Sequence, residues 1–193
     1  MAVNLKSTST ISTDGIKILA YGAAGSGKTM LIKTLPDPII LSAEAGLLTL
    51  SDEELPFIQI SSMNDLREAY EWLNTHEDAK QFKSVAIDSI TEIAEVCLAN
   101  EKKINKDPRA AYGEMQTTMS EVIRLFRDLN GKNVYMTAQL SKTTDEMGRV
   151  LYGPSMPGQK AGQALPYAFD IVAAMRVEKD EEGNSQRALM NGE

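Results

Sequence analysis

Eight consecutive residues, Gly22-Ala23-Ala24-Gly25-Ser26-Gly27-Lys28-Thr29, have the types and the spacing to hold phosphate. In the pattern G-x-x-x-x-G-K-[ST] the glycines let the backbone curl until successive N–H groups point inward at phosphate oxygens. A helix that follows adds its positive N-terminal end. Lys28 would then reach the β- and γ-phosphates, and Thr29 would place its hydroxyl on Mg²⁺. Two carboxylates are positioned for the same chemistry. Glu44 comes directly after the apolar run Ile39 to Ser42, and in an open α/β sheet the C-terminal end of a strand is the ligand side. Asp88 ends the apolar run that starts at Ser84, where it either holds Mg²⁺ through water or caps the helix beginning near Ile90.

These groups act together only if strands deliver them to one edge. A strand from about Ile16 to Ala20 leads into the loop, and Met30 to Thr34 reads as a helix ended by Pro36 and Pro38. Phe57 to Ile60 is a further short strand. Ser62 then caps a helix with Asp65 in its first turn, and Leu66, Ala69, Tyr70 and Leu73 make its apolar face. Ile90, Ile93, Ala94, Cys97 and Leu98 mark a second helix, followed by a polar, basic connection from Asn100 to Arg109. Met115, Met119, Val122, Ile123, Phe126 and Leu129 mark a long third helix, stopped at Asn130-Gly131. The strand Asn133 to Ala138 has Gln139 at its end. Leu140 to Gln163 has no clear period and reads as a long loop, a feature that in a compact domain is functional or mobile. Phe169 to Val177 and Gln186 to Met190 flank a turn at Glu182-Gly183-Asn184, the pattern of a hairpin. Strands alternating with helices predict an α/β fold, with a mostly parallel central sheet and a C-terminal antiparallel hairpin.

With 193 residues, 42% hydrophobic and 24% charged, the chain is sized for one globular domain over 15–193 behind a polar N-terminal arm, 1–14. No apolar run approaches the ~20 residues of a membrane span, and the arm lacks a signal-type apolar stretch, so no membrane partner and a cytoplasmic location are expected. Cys97 reads as a small buried hydrophobe. His76 has no partner at metal spacing and reads as solvent-facing. A net charge of −7 argues against broad, nonspecific affinity for nucleic acid. Basic residues nonetheless gather in two places, Lys102, Lys103, Lys106 and Arg109 in one, Lys142, Arg149 and Lys160 in the other. Each is either a solvated face or part of a local groove.

The order of loop, strand-Glu, strand-Asp, strand-Gln, long loop and hairpin resembles the RecA-like ATPase core, over about Ile16 to Met190. Ile40-Leu-Ser-Ala-Glu44 resembles the strand that carries the catalytic glutamate in RecA-like recombinases. Ala138-Gln-Leu140 resembles their strand ending in the glutamine that senses the γ-phosphate and opens the second DNA-binding loop, and Gly162 to Ala168 looks like the segment that closes it. More narrowly, Ile87-Asp-Ser-Ile-Thr-Glu92, Ala111-Tyr-Gly-Glu114 and Leu165-Pro-Tyr-Ala-Phe-Asp170 are similar to small phage-encoded nucleotide-binding proteins. That family includes minimal RecA-like single-strand annealing proteins that work beside a phage single-strand-binding protein.

The resemblance implies a three-layer P-loop NTPase of RecA-like type, with ATP and Mg²⁺ as cofactors and weak, DNA-stimulated hydrolysis. It implies catalytic roles for Lys28, for Glu44 in orienting or deprotonating the attacking water, and for Gln139 as sensor, with Thr29 and Asp88 organising the metal. Single-stranded DNA would lie across the segments after the Asp88 and Gln139 strands, where both basic clusters fall, with Tyr112 and Tyr152 as candidate stacking groups. A homo-oligomer with ATP near the subunit interface is implied, in the host-cell cytoplasm if the protein is phage-encoded. Arg187 and Arg176 are the nearest candidates for a basic residue reaching a neighbour's γ-phosphate. The chain departs from bacterial RecA in lacking its large terminal domains, and a short C-terminal tail beyond Glu193 is left open. Two other readings stand beside this one. A small-molecule phosphotransferase would use the same loop but needs an Arg-rich lid, and 140–162 contains only Arg149. A nucleotide-dependent loader or adaptor would hydrolyse little.

Overall fold

Side chains that alternate between two faces decide the central layer of this chain. The computed structural model describes residues 15–44, 46–179 and 185–191, the side chains of 159, 160 and 191 excepted. Its elements are β1 (Lys17–Gly22), β2 (Pro38–Ser42), β3 (Phe57–Gln59), α1 (Met63–Thr75), β4 (Ser84–Asp88), α2 (Ile90–Ile104), α3 (Pro108–Arg127), β5 (Asn133–Thr144), β6 (Val150–Pro154), α4 (Gln159–Ala164), β7 (Ile171–Lys179) and β8 (Ser185–Asn191). The strands pair in the order β3-β2-β4-β5-β1-β7-β8, with β6 attached to the far end of β5. From β3 to β7 the pairs along this path are parallel; β8 on β7 and β6 on β5 are antiparallel.

Successive residues of a strand face opposite ways, and here each face has its own cover. Leu19, Leu41, Val85, Ile87, Val134 and Met136 pack with Leu66, Ile93, Met115, Met119 and Phe126 from α1, α2 and α3. Ala20, Ile40, Ala86 and Tyr135 instead pack with Ile32 and Leu50 from two 3₁₀ helices, Thr29–Thr34 and Gly46–Glu53. The result is the three-layer α/β arrangement expected, including the antiparallel hairpin at the end. The turn of that hairpin and the 1–14 arm lie outside the described residues. Among the described residues no helix is long and apolar enough to cross a membrane.

Several local features confirm their sequence signals. Ser62 and Asp65 form a reciprocal capping box at the start of α1. Tyr70 meets Phe126 edge-on at 5.3 Å between ring centres, a packing role. Cys97 is buried, and burial pushes its thiol pKa up. His76 is exposed and accepts the Asp78 N–H at its Nδ1.

Three expectations are corrected. The segment after the phosphate loop is 3₁₀ rather than α: only six residues separate Lys28 from Leu35, and the Leu31 N–H is shared between the carbonyls of Gly27 and Lys28 at 3.3 Å each. The basic connection is much shorter than Asn100 to Arg109. α2 runs on through Ile104, where Lys102 and Lys103 suit the negative end of a helix, and Asp107-Pro108 starts α3 at once. Leu140 to Gln163 is not a loop throughout. β5 continues to Thr144, turns at Asp145 and returns as β6, followed by α4. Beyond Ala138 the β5 arm has no buried residue, so no apolar alternation announces the hairpin.

Candidate functional site

The register of the sheet collects the singled-out residues at one edge. Ser42 lies opposite Asp88, Gly22 lies opposite Gln139 on one side, and Met175 flanks Gly22 on the other. The loop thus springs from the middle of the sheet, with the carboxylate-bearing strands two and three positions away.

The loop needs glycine where it bends, for its backbone angles at two positions and for space at a third. Gly25 and Gly27 have φ of 74° and 99°. A methyl group on Gly22 would stand 2.5 Å from the Met175 carbonyl oxygen and 2.7 Å from Ser26 Oγ. Ser26 is buried, and its hydroxyl has no hydrogen-bond partner among the described residues. A buried hydroxyl without a partner is costly unless a ligand satisfies it. This orphaned group and the glycine cradle fit a phosphate.

Lys28 Nζ donates to the carbonyls of Gly22 and Ala23 at 2.9 and 3.0 Å. Burial lowers its pKa below the ordinary 10.5, while Glu44 and Asp88 oppose that shift. From beneath, the Tyr135 hydroxyl donates to the Lys28 carbonyl at 2.7 Å. Burial, reinforced by Asp88, pushes the Tyr135 phenol well above its usual range, so it stays a donor.

Asp88 is 2% exposed and held at both oxygens: Thr29 Oγ1 donates to Oδ2 at 2.7 Å, and the buried Thr137 hydroxyl donates to Oδ1. The sequence left Asp88 between metal ligand and helix cap. The cap of α2 is Ser89, whose hydroxyl accepts the Glu92 N–H at 3.3 Å, across a cis Asp88–Ser89 peptide. Asp88 is therefore turned to Thr29. A hydroxyl and a carboxylate are hard oxygen donors of the kind Mg²⁺ takes, with waters and phosphate completing its shell. Glu44 is tethered to the same segment, since Ser89 Oγ donates to its Oε1 at 2.5 Å and the Ala43 N–H donates to the Asp88 carbonyl at 2.8 Å.

Gln139 is joined to this centre through its backbone. Its N–H donates to Thr91 Oγ1 at 3.0 Å, the Thr91 hydroxyl donates to the Ser155 carbonyl at 2.7 Å, and the Ser155 N–H donates to the Gln139 carbonyl at 2.7 Å. The Gln139 side chain is exposed.

Lys102, Lys103, Lys106 and Arg109 are exposed around the α2–α3 junction, with Lys102 Nζ 5.3 Å from the centre of the Tyr112 ring. Lys142 is exposed on β5, opposite Tyr152 of β6. Arg149 turns its Nε onto Asp145 at 2.7 Å, and the Lys160 side chain lies outside the described residues. A methyl group on Gly158 would be 2.9 Å from Gln116 Nε2 and 3.5 Å from Tyr112 Cδ1, so the segment before α4 lies against α3. Tyr152 is covered on its ring by Arg176 at 5.5 Å, and Arg187 lies against the chain's own phosphate loop.

Sequence reasoning missed Ser89, Thr91, Tyr135 and Thr137. Tyr135 and Thr137 left a signal, polar groups at alternate positions of an otherwise apolar strand, which places both on one face. Ser89 and Thr91 look like ordinary helix-start residues.

A protein-family model described as an AAA domain matches residues 14–192. No curated protein matches the chain.

Proposed function

Since the chain belongs to the AAA domain family of nucleotide-binding ATPases, we propose that it binds and slowly hydrolyses ATP with Mg²⁺ while acting on single-stranded DNA in phage recombination, by annealing or strand pairing. The observation that carries the nucleotide half is the convergence of Lys28, Thr29, Asp88 and Glu44 at one sheet edge. Lys28 and the loop amides bind and orient the phosphates. Thr29 and Asp88 hold the metal, which supplies charge neutralisation at the phosphate oxygens. Ser89 fixes one oxygen of Glu44, which leaves the other to orient the attacking water and accept its proton. Gln139, beside Gly22 in register, signals the state of the loop to the β5–β6 hairpin.

Support for the DNA half comes from the exposed cations at the α2–α3 junction and on β5, with Lys102 beside Tyr112. Backbone phosphates would contact the lysines, and a base would stack on the Tyr112 ring beside the Lys102 ammonium or in its place. A homo-oligomer and a phage single-strand-binding protein as companion belong to the same reading. The adaptor alternative draws on the β5–β6 hairpin, which exposes Met147 at 82% and Leu151 at 50%, a surface suited to protein contact.

ATP turnover with and without single-stranded DNA separates these readings. The expected result is turnover that DNA stimulates and that Lys28→Ala and Glu44→Gln each abolish, with nucleotide binding retained in Glu44→Gln. No stimulation and no retention of DNA at low salt sinks the recombination reading. Nucleotide binding with negligible turnover under both conditions favours the adaptor.

A further inference from the structure

The phosphate loop has a neighbour that its motif does not contain. β8 pairs with β7 so that Arg187 is opposite Val177 and Leu189 is opposite Met175, and Met175 in turn flanks Gly22. From that position the Arg187 side chain reaches back over the loop. A methyl group on Gly27 would stand 2.8 Å from Arg187 Cδ and 3.0 Å from Nε. Gly27 is glycine for its backbone angle, φ 99°, and its bare face lies under the arginine stem.

Among the described residues the Arg187 guanidinium has no hydrogen bond or ion pair, whereas Arg127 is forked onto Asp128 and Arg149 Nε donates to Asp145. It also stands over a loop that already carries Lys28. Two cations beside one cradle repel each other unless a multiply charged anion lies between them. An unpartnered, buried Ser26 hydroxyl in the same loop asks for the same ligand.

We propose that Arg187 is a second cation of the phosphate loop, binding the polyphosphate of the nucleotide held by its own chain. The proposal rests on the nucleotide reading above. Its planar fork suits phosphate oxygens, and the short hairpin strand that carries it makes β8 part of the nucleotide site rather than only an edge of the sheet. The polyphosphate would be gripped from two sides, by Lys28 from within the loop and by Arg187 from over Gly27.

The test measures binding of fluorescent ATP and ADP analogues in Mg²⁺ by wild type, Arg187→Ala, Arg187→Lys and Arg187→Gln, with inorganic tripolyphosphate as competitor. Loss of a charge-assisted hydrogen bond predicts affinity for both nucleotides weakened about tenfold or more in the Ala and Gln variants. Tripolyphosphate should compete correspondingly less well, Lys should restore part of the loss, and the melting temperature without nucleotide should be unchanged. The Gln variant keeps the stem across Gly27, so it decides the matter if the Ala variant melts lower. Wild type binding nucleotide with Arg187→Gln binding equally well overturns the role of Arg187 alone. Loss of nucleotide with tripolyphosphate affinity intact also overturns it, by assigning the arginine to base or ribose. Wild type binding no nucleotide overturns the nucleotide reading and this proposal with it.

Discussion

Lys28 has a proton whose hold depends on what lies beside it. Burial lowers its pKa below 10.5 in the protein, with Glu44 and Asp88 pulling the other way. Phosphate oxygens favour the ammonium, so the nucleotide complex has the higher pKa of the two states. The sign follows by linkage: binding takes up a proton between the lowered pKa and the raised one. Nucleotide affinity should be flat at neutral pH and fall as pH rises through the lowered value. Titration calorimetry in buffers of different ionisation enthalpy would detect the uptake, and Lys28→Arg, charged throughout, should flatten the profile. Around this lysine the division of labour was only half legible. The motif announces Lys28 and Thr29 because phosphate demands them at fixed spacing. Ser89 capping α2, and so releasing Asp88, depends on a backbone course that no spacing reveals.

The β5–β6 hairpin hangs on one hydroxyl. Thr91, in the first turn of α2, bridges the exit of β5 at Gln139 and the exit of β6 at Ser155. Thr91→Val keeps the shape and removes the bridge, leaving a backbone N–H and a carbonyl to find other partners. A loss of about 1–3 kcal/mol in stability is expected. Hydrogen exchange should rise most across 139–155, with the β1–β5 pairing protected. If exchange rises evenly over the sheet instead, Thr91 is merely a packing residue. This element was invisible in the sequence because its faces are both open; the buried strands β2 and β4 were plain because theirs are both closed. Burial on one side or both writes a pattern, and exposure erases it.

On the scale of the whole molecule, a formal charge of −7 opposes broad affinity for nucleic acid, so the proposed grip would rest on the exposed cations of the α2–α3 junction and of β5. Each lysine that neutralises a phosphate of a single strand adds ~0.7 to the slope of log K against log salt. Lys102→Ala and Lys142→Ala should each flatten that slope by about this amount. Arg149→Ala should leave it unchanged, because that guanidinium is already spent on Asp145. Titrating a labelled oligonucleotide at several salt concentrations checks all three. Architecture at this scale was the most legible part, since strand-helix alternation constrains layers strongly, and the register that brings Gly22 beside Gln139 was beyond reach. That register has a mechanical consequence. Gly22 is bordered by Gln139 and Met175, and so stands where the lines to two separate hairpins cross, one carrying Lys142 and the other Arg187. With the Met175 carbonyl and the Ser26 hydroxyl where a methyl group would stand, only glycine fits at this junction. A side chain at position 22 would therefore press on β7 and on the loop at once, as a stone in a hinge bears on both leaves.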